Sequence, residues 1–406
     1  MVIQRFRPHF SGQGVQLEQL CQHLARRGVE AHVFTAVRGR RSAVEACDGY
    51  AIHRLRADVV PGSAGNSHVW MPTFAARVGA ALMRPRSRYD LIHVHALTDA
   101  LYTAWIASRA RAIPIVFEMT LLGDDDPESV RNQRTLMTAP RYALYRRCDA
   151  FVAMSRAFLD SYRRAGLPQS RLRLIPQGVD NGRFRPAAEG EKPQLRDRLG
   201  LPQTGPVVAF VGSLIQRKGL DLLLRAWTQI HANHPQATLL LIGRDSFEPE
   251  SADWAYLQEA LGSLPAATAA RIVRMGERDD VDLLLRAADL FVFPSRREGF
   301  GAVIIEAMAS GLACIVAELP GITDLIFQSP CTETAVASGQ CDGIVVPQEN
   351  TAALATRIDE MLSDAALRSR IAACARRRAQ AAFDFEHVAD QYIDLYEHLA
   401  TKSRSR

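Results

Sequence analysis

Two α/β domains, each a Rossmann-like parallel sheet covered by helices, are what this sequence predicts, and three observations predict them. The chain has 406 residues, too many for one ordinary hydrophobic core. Short apolar runs of the kind buried in parallel strands alternate with helix-forming segments in both halves. Between the halves, Ala187 to Pro206 is rich in proline, glycine and charge and reads as a linker.

Composition narrows the class. Charged residues make up 23% and hydrophobic residues 48%, as in an ordinary globular protein. No apolar run approaches the roughly 20 residues of a membrane-spanning helix, and Met-Val-Ile-Gln-Arg is not a signal-peptide start. Seven cysteines without a CxxC pair point to reduced thiols rather than a disulfide frame or zinc site, and so to the cytoplasm. Charge is uneven. Residues 1–185 carry 27 arginines, no lysine and 15 acidic residues, whereas the remainder has 22 basic and 29 acidic. A basic half suits an anionic partner or a membrane surface. Arg77, Arg84, Arg86 and Arg88 around Ala80-Ala81-Leu82-Met83 read either as a patch for peripheral contact with the cytoplasmic face or as ordinary solvated helix. Nucleic acid is not expected, because the basic residues are not interleaved with aromatics.

In chain order, Val2-Ile3 closes a first strand, and Ser11 to Gln16 leads into a helix marked by Leu17, Leu20 and Leu24. Gly28 ends it, and Ala31 to Thr35 is a strand. Gly12-x-Gly14 lacks the third glycine of a dinucleotide fingerprint, since Leu17 stands there. Asp90 to His95 and Ile113 to Thr120 are further strands; alternation puts His93 and His95 on one side. Leu121 to Pro127, with Asp124, Asp125 and Asp126, is an acidic loop. It reads as a hydroxyl-recognition site or as the cap of a helix over Glu128 to Met137, and consecutive aspartates do not make a metal set. Ala150 to Ser155 and Leu172 to Asp180 complete the first half.

The second half opens with the strand Val207 to Val211 and the loop Gly212 to Gly219, which carries Arg217 and Lys218 before an apolar-periodic helix (Leu220, Leu223, Leu224, Trp227). Lys218 is one of three lysines beside 46 arginines. A guanidinium fork and a compact ammonium together suit two phosphates. Thr238 to Gly243 and Ile272 to Gly276 are strands. Asp289 to Leu325 holds one βαβ unit: strand Leu290 to Phe293, loop Arg296 to Gly301, helix Ala302 to Ala309, strand Cys314 to Ala317. Ligands of open α/β sheets sit beyond the carboxyl ends of the strands, against helix N-termini. Gly299 and Gly301 permit close approach. From the helix mouth, Glu306 stands roughly 9 Å along the axis. Glu298 and Glu306 could thus hold hydroxyls at two ends of an extended ligand such as a sugar nucleotide; otherwise Glu306 is a solvated helix residue. Gln328 to Gln340 reads as an inserted surface loop, Gly343 to Pro347 as the last strand, and Asp384 to Leu399 as a final amphipathic helix.

Glu298-Gly-Phe-Gly-Ala-Val-Ile-Ile-Glu306 resembles the Glu-x7-Glu signature of retaining, nucleotide-sugar-dependent glycosyltransferases of the GT-B fold, family 4. The similarity runs from about Phe6 to about Leu399. It implies two facing Rossmann-like domains: residues 1–188 for the acceptor and 205–383 for the nucleotide sugar. A C-terminal segment, 384–406, would cross back to the first. Gly212 to Gly219 resembles the family's Gly-Arg-x-x-x-x-Lys-Gly loop, with Ser213 in place of Arg. Gln177 replaces the usual Asn of Ile-Pro-Asn-Gly-Val-Asp. By this resemblance Arg217 and Lys218 meet the diphosphate, Glu298 the hexose hydroxyls and Glu306 the ribose. Gly299, Phe300 and Gly301 line the donor, Gly276 lies near the base, and Gly14 belongs to a loop closing on the phosphates. His95 is a candidate for the acceptor hydroxyl. Thr120 stands where relatives place a cleft histidine, which leaves Thr120 or Glu118 to supply that contact. No residue reads as a nucleophile, so front-face transfer is implied. The expected donor is a UDP- or GDP-sugar, with no metal or other cofactor. The acceptor would be a glycan, a lipid-linked sugar or a small molecule in cell-surface polysaccharide synthesis. A non-catalytic sugar-nucleotide binder, or an epimerase or phosphorylase on the same fold, is the alternative.

Overall fold

The computed structural model describes residues 1–7, 12–37, 42–58, 67–85, 88–96, 98–124, 126–132, 139–245, 247, 251–331 and 341–404. It divides into two compact units, Met1–Gln177 with Phe385–Arg406, and Gly178–Asp384.

In the first unit the described elements are α1 (Gly12–Arg26), β1 (Ala31–Val37), β2 (Ala43–Cys47), β3 (Tyr50–Arg56), α2 (Ser67–Leu82), β4 (Ile92–His95), α3 (Ala100–Ala110), β5 (Ile115–Glu118), α4 (Pro127–Asn132), α5 (Ala139–Tyr145), β6 (Ala150–Ala153), α6 (Arg156–Arg164) and β7 (Leu172–Leu174). The strands run β2-β3-β1 and β4-β5-β6-β7, and Val2 joins the two groups by parallel bridges to Phe34 and Val94. The expected first strand is thus a single bridging residue in the middle of the sheet. β4, β5 and β6 are buried throughout, as parallel strands covered on both faces must be.

The C-terminal helix, Phe385–Arg404, completes this unit. Its Phe385, Val388, Ala389, Tyr392, Leu395 and Leu399 join the core that contains Leu17, Leu20 and Leu24 of α1. The return of the chain to the first domain is therefore a hydrophobic requirement: without that helix the apolar stripe of α1 would face water. Arg27 pairs with Asp390 at 2.8 Å along the rim. In the stretch read as a bilayer patch, Ala81 and Leu82 are buried while Ala80 and Met83 are exposed, and Arg86 lies outside the described residues.

The second unit contains α7 (Glu191–Arg198), β8 (Val207–Val211), α8 (Leu220–Asn233), β9 (Thr238–Ile242), α9 (Ala252–Gly262), α10 (Ala266–Ala269), β10 (Ile272–Gly276), α11 (Val281–Ala287), β11 (Leu290–Phe293), α12 (Ala302–Ala309), β12 (Ala313–Ala317), α13 (Thr323–Ile326) and β13 (Ile344–Val346), then helices Thr351–Ser363 and Ala365–Ala382. Its sheet is wholly parallel in the order β10-β9-β8-β11-β12-β13. The apolar runs VVAFV, TLLLI, LFVF and ACIVA are buried end to end.

Two expectations change. The division falls at Gln177/Gly178, upstream of the stretch read as linker. That stretch forms α7 and is fastened to the second unit: Lys192 Nζ and Arg196 Nη2 reach the Asp289 carboxylate at 2.8 and 2.6 Å, and the same carboxylate accepts from the Val207 N–H. The cysteines are not all reduced, since Cys331 and Cys341 form a disulfide. A separation of only 10 residues brings them together where Cys331 N–H meets the Gly343 carbonyl at 2.8 Å, a local pairing that the odd cysteine count concealed. Residues 332–340, most of the expected inserted loop, lie outside the described residues.

Candidate active site

The strand order of the second unit reverses between β8 and β11, because the chain builds outward from β8 to β10 and then returns to β11 and moves the other way. A crevice opens at such a switch point beyond the carboxyl ends of the strands. The loops that emerge there are the two singled out in the sequence. After β8, Gln216–Lys218 makes one 3-10 turn, ended by Gly219 at φ +72°, which also caps α8. A Cβ on Gly219 would lie 1.9 Å from the Pro294 carbonyl oxygen. Only glycine lets these two loops touch.

That contact assembles the charges. Lys218 Nζ stands 2.6 Å from Glu298 Oε1 and 5.1 Å from the centre of the Phe293 ring. Ser295 Oγ donates to the same carboxylate oxygen at 2.5 Å, and Arg217 Nη1 is 3.7 Å from it. Oε1 takes all three, which leaves Oε2 free of protein partners among the described residues. Arg217 is anchored to the Arg297 carbonyl at 2.7 Å but keeps 31% of its side chain exposed, so its remaining donors can turn to a ligand. Burial pushes the Lys218 ammonium down from its ordinary pKa, and Glu298 opposes that shift. Arg296, unassigned from the sequence, braces the loop by pairing with Asp221 at 2.7 Å and Glu349 at 2.6 Å.

Glu306 is the most unusual group in this unit. It lies in α12 and is 8% exposed, and its carboxylate has no hydrogen bond or ion pair among the described residues. It is not the solvated helix residue of the alternative reading. Burial pushes its carboxyl up to about 7; Arg183 opposes the shift and Asp282 adds to it. Arg183 is itself held by Asp282 at 3.1 Å, so it does not neutralise Glu306. Gly301, at φ +88°, starts α12. Phe300 points into the core, 1% exposed and edge-on to Phe383 at 5.9 Å, so its side chain supports the loop and only its backbone is left for a ligand. Gly299 is buried beside it. Gly276 ends β10 at φ +66° and accepts from Gly243 N–H at 2.8 Å, at the same end of the sheet but two strands from β8.

The first unit holds the remaining candidates. Gly14 is not in a loop: α1 already begins at Gly12, and Gly14 is buried in its first turn. Neighbouring Gln13 Nε2 lies 3.4 Å from His95 Nδ1. His93 and His95 do share a side of β4, with ring centres 4.0 Å apart, yet they are 0% and 3% exposed. Both face Glu118 on β5, at 3.4 and 3.6 Å. Burial, then His95, pushes His93 down to about 4, so its ring is neutral. Tyr392 OH donates to Glu118 Oε2 at 2.8 Å, and Tyr396 OH meets His93 Nδ1 at 2.7 Å. The tyrosines were missed because they follow Glu118 in sequence by more than 270 residues, and nothing local marks them. In the acidic loop Asp126 is a cap, accepting from the N–H groups of Gly123, Glu128 and Ser129 at 2.6, 3.1 and 3.0 Å; Asp125 lies outside the described residues. No described helix is long and apolar enough to cross a membrane.

Known proteins match this architecture over nearly all of its length. Residues 10–183 match the model of Glycosyltransferase Family 4, and residues 191–378 that of Glycosyl transferases group 1. The D-inositol 3-phosphate glycosyltransferase of Kineococcus radiotolerans is 27% identical, across 95% of this chain and 90% of that protein. Its Rhodococcus jostii counterpart is 28% identical, across 95% and 84%. Among solved structures, sucrose-phosphate synthase from Thermosynechococcus elongatus superposes with a TM-score of 0.77 at 26% identity, across 97% of this chain and 94% of that one. The Anabaena protein Alr3699/HepE, in complex with UDP and glucose, does so at 0.74 and 22% identity, across 98% of each. With two Rossmann-like units, and a family match for each, the chain belongs to the GT-B glycosyltransferases of family 4.

Proposed function

We propose that this glycosyltransferase moves a hexosyl unit from a nucleoside diphosphate sugar, UDP- or GDP-linked, to a hydroxyl of an acceptor, with retention of configuration. The acceptor would be a glycan, a lipid-linked sugar or a small molecule in cell-surface glycoconjugate synthesis. The names of the curated relatives put a phosphorylated polyol first among the acceptors to test, and the basic first half suits such an anion. One observation carries the reading: an unpartnered buried carboxylate, Glu306, stands on the helix that starts just beyond the Lys218–Glu298–Arg217 cluster. A buried carboxylate without a partner is costly, and the vicinal hydroxyls of a ribose would satisfy it.

The chemistry follows from the donors available. As the glycosidic bond breaks, negative charge grows on the leaving diphosphate. Lys218 and Arg217 would meet it, and the reading is supported by Lys218 being fixed by Glu298 and partly desolvated, where such contacts are strongest. No divalent ion is needed for that task. The free oxygen of Glu298 would orient a hexose hydroxyl. With no nucleophile at the cluster, the acceptor attacks from the face the leaving group vacates, and a departing phosphate oxygen takes its proton. The test is acceptor-dependent release of nucleoside diphosphate across a panel of UDP- and GDP-sugars, with the product anomer read by NMR. Arg217→Ala should cost at least about 100-fold in kcat/KM. Release that does not depend on an acceptor, or an inverted product, would overturn the proposal.

A further inference from the structure

The cluster in the first unit is not used by the transfer chemistry proposed above. β4 and β5 pair in parallel with His95 opposite Glu118, which brings two imidazoles and a carboxylate to the carboxyl end of the sheet. One donor atom from each of His93, His95 and Glu118 lies within 4.8 Å of the other two. Yet the pairs do not close as hydrogen bonds. The His93 Nε2–Glu118 Oε2 and His95 Nδ1–Glu118 Oε1 separations are 3.4 and 3.6 Å, longer than the roughly 2.7–2.9 Å of a charge-assisted bond. They approach the edge of about 3.3–3.4 Å that joins two ligands of a tetrahedral zinc with bonds of about 2.0–2.1 Å. The Nε2 atoms of both histidines are buried without a hydrogen-bond partner, and no lysine or arginine is paired with Glu118 among the described residues. A buried carboxylate with no lysine or arginine partner and the orphaned His93 Nε2 that faces it are each costly, and one ion between them relieves both.

The surrounding bonds fit. Tyr396 OH engages His93 Nδ1, and Tyr392 OH holds Glu118 Oε2. Ligating histidines and carboxylates are oriented in this way by groups on their other atoms. We propose that His93, His95 and Glu118 form a binding site for a borderline first-row divalent cation, Zn2+ foremost. Imidazole donors select against Mg2+ and Ca2+. Three protein ligands leave one position for water or a ligand oxygen. The family resemblance implies no metal, and this site departs from that expectation.

The experiment is metal stripping of the full chain with a chelator, dialysis, and reloading with Zn2+ alone or Mg2+ alone. About one tightly held Zn2+ per chain is expected by atomic emission, with a higher Tm for Zn2+ and none for Mg2+. Co2+ loading should give the intense visible bands of a four- or five-coordinate, nitrogen-ligated ion, a readout on the unmodified protein that does not depend on any variant folding. His95→Ala and Glu118→Gln, checked by circular dichroism, should lose both binding and the shift. Zn2+ that fails to bind, binds equally to the folded variants, or gives only a weak octahedral Co2+ spectrum would overturn the site. None of these outcomes bears on the donor cluster of the second unit, so the two proposals fail separately.

Discussion

Replacing Glu306 with glutamine should stabilise the unliganded protein at alkaline pH and weaken donor binding. Burial raises this carboxyl from 4.5 to about 7, and each unit corresponds to about 1.4 kcal/mol. Because the folded-state pKa is the higher one, the folded protein holds the proton more tightly than the unfolded chain. Stability is therefore intact below pH 4.5 and falls as pH rises toward 7. The penalty is about 1 kcal/mol at pH 5 and about 3 kcal/mol at pH 8. A buried glutamine carries its own desolvation cost, but that cost does not change with pH, so the comparison is the difference between the two conditions. Glu306→Gln should gain about 2 kcal/mol relative to wild type on going from pH 5 to pH 8, or about 4–8 °C in Tm for a unit of this size. Calorimetry of both proteins at the two pH values measures it. In the same preparation, loss of hydrogen bonds to a charged acceptor should weaken nucleotide-sugar binding about 10- to 100-fold. If the Tm gap between variant and wild type is the same at both pH values, Glu306 is not an unpaired buried carboxylate and its assignment to the ligand fails.

Four further outcomes follow from the same structure. Lys218→Ala should cost about 3 kcal/mol by leaving Glu298 buried without its cation; adding Glu298→Gln should restore the urea midpoint but not the transfer rate. Gly219→Ala, placed at φ +72° against the Pro294 carbonyl, should lose about 3 kcal/mol, and an unchanged midpoint would show that the two loops do not touch. Tyr392→Phe should lose about 2 kcal/mol through its bond to the Glu118 carboxylate, measured by chemical denaturation. Reduction of Cys331–Cys341 with dithiothreitol should cost about 3 kcal/mol on loop-closure grounds, against no change in a Cys331→Ser, Cys341→Ser variant.

The parts of the molecule that were legible are those whose cause is local. Val207–Val211, Leu290–Phe293 and Ala302–Ala309 are written as unbroken apolar or helix-forming runs, because a parallel sheet buried on both faces permits little else. The cluster of Arg217, Lys218 and Glu298 was legible because each sits in a glycine-bearing loop directly after such a run. What escaped depends on distance along the chain. Tyr392 and Tyr396 act on Glu118 and His93 from the far end of the sequence, and Asp282 shapes the surroundings of Glu306 through Arg183. Gly14 was misplaced for a different reason: two glycines look like a loop, yet α1 starts at Gly12 and buries Gly14 in its first turn. Ala187 to Pro206 misled similarly, since its charges read as solvent-facing until Lys192 and Arg196 found Asp289.

Phe385–Arg404 is translated after the whole of Gly178–Asp384, yet it belongs with Met1–Gln177, which is translated before that unit. Leu17, Leu20 and Leu24 must therefore wait through the synthesis of more than half the polypeptide before their covering residues exist, while Gly178–Asp384 has all its own strands in hand and can mature sooner. Cutting the gene between the two units would not yield two working halves. The amino-terminal piece would lack its lid, and only grafting the terminal helix back onto it, by a short tether, would make it a self-sufficient body.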